Sequence, residues 1–169
     1  TAPFYQDYVP EIKTYAYETS GGETGLLKSI ASSLDGIITY DYSKPSSGLF
    51  KTEITNPAGK KSSQTADASG KVIGADDDNG TTLNYTYFSH GQLKEVTMAG
   101  QSQPLASMLY DDYARQSKLT DKNAGVVNYT YNAYGELEHQ DDYNGAYNLE
   151  YDKLGRVVFK KKSVDNSVE

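Results

Sequence analysis

YTYNAYGEL, residues 129 to 137, and LEYDKLGRV, residues 149 to 157, are two copies of one short unit. Aligned on Gly135 and Gly155, each has a tyrosine four positions before the glycine (Tyr131, Tyr151). An Asn or Asp stands three before it (Asn132, Asp152), and an apolar residue two after it (Leu137, Val157). Working outward, YTYFSHGQL (85 to 93) repeats the pattern with Tyr87 and Gly91. MLYDDYARQ (108 to 116) repeats it with Tyr110, Asp111 and Arg115, and Ala114 takes the glycine position. TADASGKV (65 to 72) keeps Asp67 and Gly70 but lacks the aromatic, and looser copies surround Gly48 and Gly25. These seven anchors lie 20 to 23 residues apart. A fixed period of this size marks stacked supersecondary units.

Each unit reads as a β-hairpin. Between anchors lies a second turn signal, such as Asp35-Gly36, Asn79-Gly80 or Asn144-Gly145. These pairs supply the positive φ angles that tight hairpin turns require. The runs that follow, TTLNYTY (81 to 87) and VVNYTY (126 to 131), alternate tyrosine with smaller residues. Period two with β-favouring residues predicts strands. No stretch is long and periodic enough for an α-helix. Thr24 to Leu34 comes nearest, but it carries an anchor and reads as strand. Turns are expected near Gly80, Gly91, Gly125, Gly135, Gly145 and Gly155. Tyr87, Tyr110, Tyr131 and Tyr151 are expected on one face, touching neighbouring repeats. The predicted organisation is an extended segment over 1–12, a repeat array over 13–162 and a polar tail over 163–169.

Composition narrows the classes of function. Leu, Ile, Val and Phe make up about 18 per cent of the chain, below the share of a packed globule. Sixteen tyrosines compensate, each with an apolar ring and a hydroxyl that can reach water or a partner. The net charge of -7 opposes nucleic-acid binding, which needs a basic face. Lys160-Lys161-Lys162 reads as an edge strand blunted by lysines. No apolar run approaches a membrane span. Zero cysteines exclude disulfides and thiolate metal sites. His90 and His139 lack a catalytic partner at a telling spacing. Asp76-Asp77-Asp78-Asn79-Gly80 imitates a calcium loop. With Gly80 at loop position six, however, Ala75 and Thr86 fall where carboxylates are needed, so the run reads as a hairpin tip. Asp111-Asp112 and Asp141-Asp142 read as solvated repeat residues. The chain is expected to be neither an enzyme nor a cofactor or metal binder.

Tyr151-Asp152-Lys153-Leu154-Gly155-Arg156 resembles the signature of YD repeats, also called Rhs repeats. Tyr110 to Arg115 and Tyr131 to Glu136 are close variants. Such repeats occur in bacterial Rhs toxins, the B and C subunits of Tc insecticidal toxins, wall-associated proteins and teneurins. The resemblance covers roughly residues 13 to 162. It implies an all-β fold of tandem antiparallel hairpins in a curved open sheet, part of a larger β-shell enclosing a toxin or other polypeptide. It also implies a secreted or cell-surface bacterial protein whose partners are further repeats and a cargo domain. Such shells need many more than seven repeats, and neither the Rhs core motif nor a toxin domain finds a match here. The chain therefore reads as a segment of a longer protein, and its open sheet edges are expected to pair with another copy. The alternative reading is a surface module that binds carbohydrate or protein through exposed tyrosines.

Overall fold

The computed structural model describes residues 10–162. Every regular element among them is a strand, and the fourteen strands are antiparallel and follow chain order in an open sheet. The chain divides into two compact units, 1–83 and 84–169. The first contains β1 (Lys13–Tyr17), β2 (Leu27–Ser32), β3 (Gly36–Ser43), β4 (Phe50–Thr55), β5 (Lys61–Ala66) and β6 (Val72–Asp76). β7 (Thr82–Tyr87) carries the boundary. The second contains β8 (Leu93–Met98), β9 (Ala106–Tyr110), β10 (Gln116–Asp121), β11 (Gly125–Tyr131), β12 (Leu137–Asp142), β13 (Gly145–Tyr151) and β14 (Val157–Lys162). The stretch from Thr24 to Leu34 is strand only over β2. Residues before it form a turn in which Gly25 donates to the Glu18 carbonyl at 2.9 Å. Of the expected N-terminal segment and polar tail, residues 1–9 and 163–169 lie outside the described residues, Phe4, Tyr5 and Tyr8 with them.

Alternation in the sequence becomes alternation of faces. In β11, Val127, Tyr129 and Tyr131 are half-buried while Val126, Asn128 and Thr130 are exposed. β3 does the same with Ile38, Tyr40 and Tyr42 against Thr39, Asp41 and Ser43. Cross-strand pairs hold the register: Tyr42 faces Thr52 and Tyr40 faces Ile54, and in the second unit Tyr129 faces Gln140 and Tyr131 faces Leu137. No hydrophobic side chain among the described residues is fully buried, and the one buried polar side chain is Ser63 at 6% exposure. Among the described residues each inner strand therefore rests on its two neighbours in the sheet, and no apolar side chain is fully buried. Stability has to come from cross-strand pairs and polar links, each worth roughly 0.2–1 kcal/mol in a sheet.

β1 and β14 are exposed along their whole length. Val157, Val158 and Phe159 in β14 are 53%, 48% and 54% exposed. Its lysines are not idle: Lys161 pairs with Glu150 at 2.9 Å, and Lys160 lies 4.8 Å from the Tyr147 ring centre. Exposed edges of this kind recruit further strands. The isolated chain is expected to show a concentration-dependent mass by light scattering, abolished by Val158→Pro. A strict monomer at every concentration would contradict it.

Candidate functional site

The signature turns at Gly70, Ala114, Gly135 and Gly155 are each built around one side-chain oxygen. Asp152 Oδ1 accepts the backbone N–H groups of Leu154 at 2.8 Å and Arg156 at 3.0 Å. The Asp152 amide donates to the Arg156 carbonyl at 2.9 Å, and the Gly155 amide to the Asp152 carbonyl at 3.0 Å. Asp111 does the same for Tyr113 and Arg115, and Asn132 for Tyr134 and Glu136. An acidic or amide side chain three residues before the glycine thus closes the turn on itself. The fifth residue completes it. Arg115 and Arg156 each grip their own aspartate through Nε and Nη2, both at 2.7 Å. In the Asn132 copy the polarity is exchanged, with Asn132 Nδ2 donating to the Glu136 carboxylate at 2.6 Å.

Sequence reading separated these anchors from a second class of turn. The structure shows that two of the second class are chemically the same. Asp77 Oδ1 takes the amides of Asn79 and Thr81, and Asn56 Oδ1 those of Ala58 and Lys60. The acidic run is the exposed tip between β6 and β7, as expected, and its first turn residue is engaged rather than idle. Asp77 closes a signature-type turn, and Asp78 accepts the Lys61 amide at 3.2 Å. The remaining tight turns are three-residue or two-residue hairpins, such as Asp121 to Gly125 and Asp142 to Gly145. Asp111 and Asp142 are likewise engaged rather than simply solvated, Asp142 receiving the Asn144 amide at 2.7 Å.

The anchor position requires a left-handed backbone. Gly91, Gly135 and Gly155 have φ of 98°, 87° and 74°, and Ala114 is the one non-glycine described with positive φ, at 64°. That conformation costs an L-residue roughly 1–2 kcal/mol, less the extra freedom glycine loses on folding. Ala114→Gly is expected to stabilise the chain by about 0.5–1 kcal/mol. A thermal midpoint unchanged or lowered by this substitution would contradict the account.

Hydrogen bonding also holds the turn carboxylates below their usual pKa. For Asp111 and Asp152 the arginine side chain is the leading cause. For Asp77 it is the Thr81 backbone, and for Asp67 the Ser69 hydroxyl. A lowered folded pKa gives stability that is present above the unfolded value, about 3.9, and lost as pH falls through the folded value. Denaturation midpoints are expected to be level from neutrality to about pH 5 and to drop below about pH 4. A midpoint that rises on acidification would refute this.

The signature tyrosines join one repeat to the one before. Tyr110, Tyr131 and Tyr151 close β9, β11 and β13. Their hydroxyls donate to the carbonyls of Leu93 at 2.9 Å, Gln116 at 2.8 Å and Leu137 at 2.8 Å. In the first unit Tyr42 donates to Leu27 at 2.7 Å. Every acceptor stands two residues after the preceding anchor, a position held by leucine in three of the four and by Gln116 in the other. Burial pushes the Tyr131 and Tyr42 phenols up. Tyr87 holds the matching place at the end of β7. After two of the anchors, Gly91 and Ala114, a second link runs forward from the next residue. Gln92 Nε2 donates to the Ala114 carbonyl, and Arg115 Nη1 to the Asn132 carbonyl at 3.4 Å. The Arg115 guanidinium also lies 4.6 Å from the centre of the Tyr131 ring and 4.9 Å from that of Tyr113. Neither link follows from the signature alone.

In the repeat that lacks the aromatic, where Ala66 replaces tyrosine, a polar knot spans the first unit. Asp76 accepts from Ser63 at 2.7 Å and Thr82 at 2.8 Å, and pairs with Lys51 at 3.2 Å. One carboxylate on β6 thereby ties β4, β5 and β7. Its pKa is lowered, chiefly by the Ser63 and Thr82 hydroxyls.

The other candidates are not assembled into a site. His90 stacks on Phe88 with ring centres 5.4 Å apart, and His139 Nδ1 lies 2.7 Å from Asn148 Oδ1. Among the described residues no group of three His, Asp or Glu side chains could hold a metal ion. No helix is long and apolar enough to cross a membrane.

No protein-family model matches this chain, and no curated protein does. Solved structures do. The crystal structure of TcdB2-TccC3-TEV matches with a TM-score of 0.57 at 17% identity, over 90% of this chain and 10% of that one. TcdB2-TccC3-Cdc42 gives 0.55 at 16% identity, over 90% and 10%. TcdB2-TccC3 gives 0.53 at 16%, over 90% and 11%. This chain spans about a tenth of the length of the solved chains it matches. At such identity the likeness shows the fold: the all-β antiparallel repeat sheet anticipated from the YD-type signature.

Proposed function

We propose that this chain is a structural, non-catalytic segment of a repeat-built β-shell that encloses a toxin or effector polypeptide in a secreted bacterial protein. Its partners are the further repeats and the cargo domain of that protein. The observation that carries this reading is the hydroxyl link from Tyr42, Tyr110, Tyr131 and Tyr151 to the repeat before. It gives four of the units the same polar attachment to the unit before, a join that can be repeated as units are added. The fold shared with TcdB2-TccC3 and the YD-type signature support the same reading. The action is steric: a wall of hydrogen-bonded hairpins keeps protease and solvent from the chain behind it.

The test is limited proteolysis of the full-length parent. The cargo segment is expected to resist a protease that digests the same segment expressed alone. Tyr131→Ala combined with Tyr151→Ala is expected to open it to cleavage. Cargo cut at the same rate inside the parent as outside it would end the enclosure reading.

A further inference from the structure

We propose that a cleft beside the Gly91 turn is a socket for the guanidinium of an arginine carried by a partner polypeptide. The chain holds its own version of the filled socket one repeat later. There Arg115, the residue after the Ala114 anchor, has its guanidinium 4.9 Å from the centre of the Tyr113 ring and 4.6 Å from that of Tyr131. Its Nε and Nη2 hold the Asp111 carboxylate, both at 2.7 Å, and Nη1 reaches the Asn132 carbonyl. A flat cation against two rings, with a carboxylate and a carbonyl to take its N–H groups, is a complete arginine site.

The Gly91 repeat has the same frame without the cation. His90 stands where Tyr113 does, just before the anchor, and Tyr110 stands where Tyr131 does, as the next signature tyrosine. The residue after the anchor is Gln92, shorter and uncharged. Its Nε2 goes no further than the Ala114 carbonyl. Phe88 takes the position of Asp111, so the turn has no carboxylate of its own. The Phe88 ring stacks on His90 with centres 5.4 Å apart and meets Tyr110 edge-on at 5.9 Å. These three rings, with Asp111 and Asp112, line a cleft of about 440 Å³, within the usual range of ligand sites.

Two groups at this cleft call for N–H donors. Gln92 Oε1 is buried and has no hydrogen-bond partner among the described residues, a state that native structures seldom leave unanswered. Asp112, in the lining, is exposed and has no ion-pair partner among them. A guanidinium answers both and lies flat on a ring. A quaternary ammonium suits the rings but has no N–H to give. A lysine ammonium donates, but it is a strongly hydrated point charge. Lys94 comes only to 6.0 Å from the Phe88 centre, the limit of such a contact, and does not line the cleft. The comparable cleft after Gly135 does not match, because Glu136 is already bonded by Asn132 and Lys153 lines the space. The net charge of -7 draws a basic partner to this surface. The socket works in a longer protein or in this chain alone, so it does not rest on the enclosure reading.

NMR titration of the isotope-labelled chain tests it, with acetyl-Gly-Arg-Gly-amide as the probe and its lysine and citrulline versions as comparators. The arginine peptide is expected to shift the resonances of residues 88–92 and 109–114 saturably, the Gln92 side-chain amide with them. The lysine peptide is expected to bind about tenfold more weakly, and the neutral citrulline peptide not at all. Asp112→Asn is expected to weaken the arginine peptide about tenfold. Gln92→Arg is expected to abolish binding and to raise the thermal midpoint, because the chain then fills the socket as Arg115 does one repeat later. The amide spectrum of each variant confirms that it folds. No saturable shift at the socket, shifts spread evenly over the acidic turns, or unchanged binding in either variant each overturns the proposal. Equal binding of the lysine or citrulline peptide also overturns it, since the site then does not recognise a guanidinium.

Discussion

Tyr131→Ala is expected to lower stability by about 3 kcal/mol, and Tyr131→Phe by about 1 kcal/mol. The difference separates what the ring does from what the hydroxyl does. Removing the hydroxyl leaves the Gln116 carbonyl without its donor, at the ordinary net worth of a hydrogen bond. Removing the ring as well takes away the half-buried apolar surface of β11. It also takes away the face on which the Arg115 guanidinium lies, 4.6 Å from the ring centre. That contact is worth roughly 0.5–1 kcal/mol where partly exposed. An enclosed aromatic costs about 3–5 kcal/mol on truncation, and Tyr131 belongs at the lower end because it is only half-buried. In a chain that is only marginally stable this is a large share of the total. Chemical denaturation of the three proteins is the measurement. A loss under about 0.5 kcal/mol for the alanine variant would place the ring outside the stabilising face.

The second large effect is expected at Asp76. Asp76→Ala leaves Ser63, the one buried polar side chain described, without its acceptor, and strips Thr82 and Lys51 of theirs. Orphaning polar groups costs about 1–3 kcal/mol each when they are dry. Water reaches the carboxylate, whose side chain is 38% exposed, so the expected total is about 2 kcal/mol. Asp76→Asn retains a carbonyl oxygen for one hydroxyl and is expected to lose about half as much. Equal destabilisation by Asn and Ala would show that the charge pair with Lys51 dominates. No loss in either would show that the knot is incidental. The double change Asp76→Ala with Ser63→Ala should recover part of the loss, because donor and acceptor leave together.

How much of this was legible in the residues depends on how far each interaction reaches along the chain. The turns were legible because their bonds are local. Asp152 serves amides two and four residues ahead, so Asp, Gly and spacing suffice to write the turn down. Ala114 is informative for the same reason: the repeat alone placed it in the glycine position, and it takes the left-handed backbone that position demands. The alternation that puts Tyr129 and Tyr131 on one face was equally visible, since a strand has a period of two. The equivalence of the Asn56 and Asp77 turns with the anchors was also written in the sequence, as an Asx residue three before glycine. It was hidden by the period of 20 to 23 residues, which allows one anchor per unit and leaves Gly59 and Gly80 between anchors.

The tyrosine hydroxyl link could not be read this way. Tyr131 and Gln116 are 15 residues apart, and their meeting depends on the register of β10 against β11. A slip of one residue would turn the ring to the other face. The same holds for Lys51, Ser63, Thr82 and Asp76, which come from four strands and look like unrelated polar residues until those strands are laid side by side. The sequence by itself determined the repeat, the turns, the strand class and the face that carries tyrosine, because each rests on bonds within a few residues or on a simple period. Only the tertiary structure decided which carbonyl each hydroxyl meets, which carboxylate ties which strands, and that no apolar side chain among the described residues is fully buried. Those are set by pairing distant strands in one register, where a shift of a single residue exchanges every partner.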